Sequence, residues 1–214
     1  TGTKRNTKLD RLLDDFYSTL KKEGIIDINE NAFRLETYKT YTKFTTSNEA
    51  AVGNLAWNKK VTADKVPPVN LHRYYTNDLG MLTDGARGDA ATRNLFWLVW
   101  PDKEFNITLD LGDVKKISSV DIGAMWGGGT SLPPASVECF VSKKENGGFT
   151  SIGRQEWNYD QEKTGDDDWR YVYSFKANAS ARYVRFKIIR HDLVKAGRKA
   201  GMPVQTMIDE IEVR

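Results

Sequence analysis

Two hydrophobic periodicities divide the chain. In "KLDRLLDDFYSTLKKEG" the apolar residues Leu9, Leu12, Leu13, Phe16, Tyr17 and Leu20 recur at the spacing of one helix face. Lys21 and Lys22 fall in the last turn and Gly24 sits where a helix stops. A second helical stretch, "NENAFRLETYKTYTKF", has Asn29 or Asn31 as its cap and sets Leu35, Tyr38, Tyr41 and Phe44 along one side. Two short helices cannot bury this much apolar surface on each other, so they must pack on something else. From about residue 54 the pattern changes to short alternating runs between Gly, Pro, Asn and Asp clusters, the pattern of a β-sandwich. In "FNITLDLG", Phe105, Ile107, Leu109 and Leu111 face one way while Asn106, Thr108 and Asp110 face the other. Val120, Ile122 and Ala124 repeat the alternation, as do Val137, Cys139 and Val141, and then Val184, Phe186 and Ile188. "KENGG" and "TGDDD" carry turn chemistry. The expected organisation is a helical segment over 1–50, a remnant of or docking element for an upstream domain, followed by a β-sandwich over 51–214.

Composition narrows the function classes. The 214 residues are enough for a real core, with 39% hydrophobic and 29% charged positions. A formal net charge of +3 is too mild to point to nucleic acid or an anionic membrane. No apolar run is long enough to span a bilayer. Cys139 is the only cysteine, which excludes an intrachain disulfide and cysteine-rich zinc sites. The opening residues, "TGTKRNTKLD", lack the apolar stretch of a signal peptide, and the chain reads as a fragment of something longer. There is no nucleophile elbow, phosphate loop or HExxH, and the carboxylates scatter over strands and turns. Catalysis by this chain is not expected.

Six stretches in order, "NLAWNKKVTA", "LTDG", "ITLDLGDVKKISSVDI", "PASVECFVSKKENGGFTSIG", "ARYVRFKI" and "IDEIEV", resemble the discoidin-like family. This family, also called coagulation factor 5/8 type C, includes galactose-binding-like carbohydrate modules. The resemblance covers roughly residues 54–214. It implies a jelly-roll β-sandwich whose loops at one end bind a ligand, in many relatives the terminal sugar of a glycan, and an extracellular, periplasmic or cell-surface setting. Residues 23–56 also resemble the end of an α-L-fucosidase barrel running into such a module. That implies a glycoside hydrolase domain upstream as a partner, with this chain its non-catalytic part. The other reading is a protein-interaction or bracing domain that binds no sugar.

The resemblance also implies a structural calcium ion, which needs hard oxygen ligands. The matching loop, "LTDGARGDAATRN", with a glutamate near the C-terminus, points to Asp84, Asp89, Thr92 and Glu210. Arg87 and Arg93 in the same loop offer a second solution, in which an arginine replaces the metal's charge. For the sugar, Trp126 stands at the lip of the glycine run 127–129. Strand parity with Val120, Ile122 and Ala124 makes it a core residue. A strand break at the glycines would instead turn it outward as a platform for sugar C–H faces. Arg190 and His191, where a strand runs out, supply a planar fork of donors and a donor–acceptor ring. Arg73 and Tyr74, with Tyr75, form a further candidate wall. Most of the six tryptophans are expected in the core.

Overall fold

The computed structural model describes residues 52–69, 76–88, 96–127, 129–158, 170–196 and 198–214, together with Thr19, which is helical and exposed. The chain divides into two compact units, Thr1–Thr42 and Lys43–Arg214. Apart from Thr19, the expected N-terminal helices lie outside the described residues. Among the described residues no helix is long and apolar enough to cross a membrane.

The second unit is an antiparallel β-sandwich. Its strands are β1 (Lys60–Ala63), β2 (Leu98–Trp100), β3 (Glu104–Met125), β4 (Ser136–Ser142), β5 (Thr150–Glu156), β6 (Arg170–Ile189) and β7 (Thr206–Val213). A short 3₁₀ helix, Leu79–Thr83, is capped by Asp78, whose carboxylate accepts from the Gly80 N–H at 3.0 Å. β3 and β6 are too long for one layer, and both serve two. The register between them breaks between Asp110 and Lys115, and again between Ile117 and Ser119. Before the breaks β3 pairs with β1 and with the second half of β6, which continues to β4 and β5. Beyond them β3 pairs with β7 and the first half of β6, and β2 joins through β7. Two layers therefore share their central strands, and a bulge carries each strand from one to the other.

The alternation in the sequence becomes the core between these layers. Phe105, Ile107, Leu109, Ile122, Ala124, Val137, Cys139, Val184, Phe186 and Ile188 are completely buried in it. Burial pushes the Cys139 thiol far above its ordinary range, so it stays a packing residue. Trp100 stacks flat on Phe105, with ring centroids 4.8 Å apart, and donates its indole N–H to the Lys65 carbonyl. Trp97, Trp100 and Trp157, three of the six tryptophans, are interior, whereas Trp126 is partly buried and Trp57 is 50% exposed.

β7 behaves differently from the other strands, because all eight of its residues are buried. Its inner face carries Ile208, Ile211 and Val213, while Met207 joins Trp97, Val99 and Met125 in a second apolar cluster. Asn54 fastens its C-terminal part. The amide donates to the Ile211 carbonyl at 3.1 Å, and its oxygen accepts from Val213 N–H at 2.8 Å and Ala56 N–H at 2.9 Å.

Candidate functional site

Register decides which loops meet. Met125 pairs with Arg170, Glu104 and Ser136 both pair with Ile189, Ser136 pairs with Glu156, and Trp100 pairs with Thr206. The ends of β2 and β5, the beginnings of β4 and β7, and both ends of β3 and of β6 thus lie at one end of the sandwich. The described residues of 101–103, 126–135 and 190–205 form loops of that end. They are tied down: Gln205 N–H donates to Thr130 O at 2.8 Å, Ser131 forms a bridge with Gln205, and Trp157 N–H donates to Ala135 O at 3.1 Å. Leu132, Val194 and Val204 bury their side chains beneath these loops.

An aromatic cluster crowns this end. Trp126 meets Trp157 edge-on at 5.6 Å and Tyr171 at 6.0 Å, and Trp157 meets His191 edge-on at 5.4 Å. Tyr171 in turn packs on buried Tyr173 at 4.8 Å, and the Tyr173 hydroxyl donates to the Pro134 carbonyl. Such edge-to-face pairs hold the rings at fixed angles. β3 ends at Met125, so Trp126 is the first residue past the strand. It packs against the rim of the core and is only partly buried. Both sequence readings of Trp126 contain part of the answer: parity keeps the ring at the core, and the end of the strand leaves part of it in solvent. Gly129, with φ of +84°, takes the left-handed turn that carries the loop away.

His191 is half-buried beside this cluster. Burial first, and then the nearby Lys195, hold its pKa below the ordinary value, against the opposing pull of Asp192. The ring is therefore neutral at neutral pH, with one donor and one acceptor nitrogen. Arg190 has a task the sequence did not suggest. Its Nε donates to the carbonyls of Pro101 and Asp102 at 3.0 and 3.1 Å, and Nη1 donates to those of His191 and Asp192 at 2.7 and 3.0 Å. It staples two loops together and sets the position of His191, with Lys103 and Asp192 paired alongside at 3.0 Å. Arg73, Tyr74 and Tyr75 lie outside the described residues.

The acidic end of the chain forms a second cluster on the outer side of β7, under the 84–88 loop. Gly85 N–H donates to Glu210 Oε1 at 3.1 Å, and Glu210 is completely buried. Its Oε2 has no hydrogen-bond partner among the described residues. Burial, with Asp84 and then Asp209 as further causes, pushes its pKa up to about 9. Asp209 accepts from Arg170 Nε at 2.6 Å and from Gly88 N–H at 2.8 Å. Glu212 takes a two-pronged bond from Arg87, both prongs at 2.8 Å, and another from Arg214 at 2.8 Å. Of the expected calcium ligands, Asp84 and Glu210 come together, while Asp89 and Thr92 lie outside the described residues. No group of three or more acidic, histidine or cysteine side chains arranged for a metal occurs among the described residues. Arg87, offered by the sequence as a replacement for the ion, binds Glu212 instead of Glu210, and Arg93 lies outside the described residues.

Sequence reasoning missed Trp157, Tyr171, Asp209 and Arg170. Trp157 and Tyr171 stand on either side of residues 159–169 in the sequence and carry no pattern of their own. The signal for Asp209 was three acids in "IDEIEV", a strand that here is buried on both faces.

No family model and no curated protein matches the chain. Solved structures do resemble it. A chitosan-binding module of a Paenibacillus sp. IK-5 chitosanase/glucanase is 19% identical, over 75% of this chain and 98% of that one, with a TM-score of 0.46. The C-terminal domain of a Bacteroides fragilis chitobiase is 17% identical over 74% and 94%, with a TM-score of 0.49. A Ruminococcus gnavus GH29 fucosidase solved with fucose is 14% identical over 75% of this chain and 26% of its own, at 0.44. All three scores lie below 0.5.

Proposed function

We propose that the sandwich is a non-catalytic carbohydrate-binding module that holds the end of a glycan in a shallow site at its aromatic end. The observation that carries this reading is the fixed, partly exposed ring of Trp126 beside Tyr171 and neutral His191, on loops tied to a rigid core. A flat ring takes the C–H face of a sugar, and a neutral imidazole can both give to and accept from a hydroxyl. Arg190 is a positioning residue that fixes His191. A calcium ion beside the 84–88 loop would be held by the Asp84 carboxylate and by the buried Glu210 Oε2, which has no hydrogen-bond partner among the described residues, and its divalent charge would keep Glu210 ionised. Such a module would serve as the accessory domain of a larger secreted glycoside hydrolase, because shallow weak sites gain from tethering to an enzyme. The bracing reading has its own support in the exposed apolar residues Val52 and Trp57, 74% and 50% accessible.

A glycan-array screen followed by titration calorimetry tests the reading. Trp126→Ala and His191→Ala are each expected to weaken the selected glycan by about tenfold to a hundredfold while leaving the fold intact. Binding should be flat through neutral pH and weaken only below the ordinary histidine range, where the depressed imidazole finally takes a proton. A chain that binds no glycan on the array, with or without calcium, would overturn the proposal and favour bracing.

A further inference from the structure

At the opposite end of the sandwich, the β4–β5 hairpin and the middle of β6 enclose an open cleft of about 810 Å³. That volume lies within the range that accommodates small ligands. Val141, Ile152, Ala177 and Ala179 contribute short apolar side chains to its lining. Lys143, Lys144, Lys176, Asn146 and Asn178 line it too. The lining contains no carboxylate and no aromatic ring. None of the three lysines takes part in an ion pair among the described residues, whereas Lys103, Lys115 and Lys187 each have an acidic partner. The hairpin that presents two of them is a built turn. Ser142 Oγ accepts from Lys144 N–H at 2.9 Å and donates to the Gly147 carbonyl at 2.7 Å, and Lys144 forms a bridge with Gly147.

We propose that this cleft is a second binding site, for a segment of an acidic saccharide carrying carboxylate or sulfate groups. Three ammonium groups that form no ion pair among the described residues call for an anion. Because a lysine is a rotatable point charge, the site accepts either kind of acid group. The amides of Asn146 and Asn178 donate and accept at once, which suits the hydroxyls of a sugar ring. Without an aromatic in the wall there is no stacking platform, which sets this site apart from the Trp126 end and disfavours single-stranded nucleic acid. The two sites share no residue, so each can fail without the other.

The test uses the 214-residue chain and a galacturonate tetrasaccharide titrated at low salt, beside a neutral tetrasaccharide and a single-stranded DNA oligonucleotide of equal charge. The acidic tetrasaccharide is expected to bind, and to weaken as salt rises. The Lys143→Ser/Lys144→Ser/Lys176→Ser variant should lose at least about tenfold in affinity, roughly the worth of one charge-assisted hydrogen bond. Asn178→Ala should lose severalfold with the charge unchanged. Absence of binding, or equal binding by the triple-lysine variant, would overturn the proposal. So would an oligonucleotide that binds as tightly as the acidic saccharide, because simple charge attraction would then suffice.

Discussion

Gly123→Ala is expected to destabilise the sandwich by about 2–4 kcal/mol, read as a shift in the urea midpoint with little change in slope. The residue lies in β3 and its partner across the ladder is Val172. A methyl group there would stand 2.0 Å from Asp209 Oδ1, 2.3 Å from Arg170 Nη2 and 2.6 Å from Arg170 Cζ. Side-chain ends often swing aside at little cost, but these two cannot. Asp209 is fully buried, the Arg170 side chain is 7% exposed, and the two are bonded to each other at 2.6 Å. Moving either away breaks a buried charge pair, with Glu212 at 4.0 Å from Arg170 Nη2 offsetting part of the loss, and breaking a buried pair costs about 3–5 kcal/mol. The same cost is expected for Asp209→Ala alone. In the double variant the aspartate is already gone and the methyl meets less resistance, so the combined loss should be smaller than the sum. A Gly123→Ala protein within about 0.5 kcal/mol of the parent would show that the pair is not held against the strand as described. Arg170 begins β6 immediately before Tyr171, so the disturbance should also reach the aromatic site as weakened glycan binding.

Glu210→Gln should change how stability depends on pH and on calcium. The Glu210 carboxyl is raised from 4.5 to about 9, mainly by burial. Between those values the folded protein holds a proton that the unfolded chain has released. The group's contribution is thus fully present below about pH 4.5 and is lost as pH rises toward 9, by up to about 1.4 kcal/mol per unit. In chelator at pH 8, the glutamine variant should therefore be more stable than the parent by about 1–3 kcal/mol. Its side-chain oxygen still accepts from Gly85 N–H, and it needs no proton. Calcium should reverse the order. A cation that binds only the folded parent adds about 2.7 kcal/mol at a hundredfold excess over Kd, and the variant should gain little. Thermal melts from pH 5 to 8, in chelator and in calcium, decide this. If the difference between parent and variant does not change with pH or with calcium, Glu210 holds neither a proton nor an ion.

Much of the fold was legible because alternation is a local property. The run from Phe105 to Leu111 needs only its own spacing to announce a strand with one buried face, and all four inward positions are at most 1% exposed. The same reasoning located the core faces of β4 and the second half of β6. It did not show that β3 and β6 each serve two layers, because a bulge changes register without interrupting the apolar pattern. The sites were harder to read. Asp84 and Glu210, named together through the family resemblance, lie close enough to act on each other, whereas nothing in the sequence singled out their neighbours Asp209 and Arg170. Arg190 was recognised as a residue at a strand end, but its bonds to four carbonyls depend on two loops that are far apart in sequence.

What the sequence determined by itself was the class of fold, the inward faces of its strands and the absence of familiar catalytic motifs, all of which follow from the order of apolar and polar residues within a few positions. What the tertiary structure alone decided was which residues meet. Trp126 became half core and half surface because β3 stops one residue before it. Glu210 became a carboxyl held near pKa 9 because β7 is covered on both faces. Lys143, Lys144 and Lys176 came to share a cleft because a hairpin and a strand some thirty residues apart fold against each other. Burial, dielectric and charge pairing are properties of three-dimensional neighbours, and they are set only when the long-range register closes.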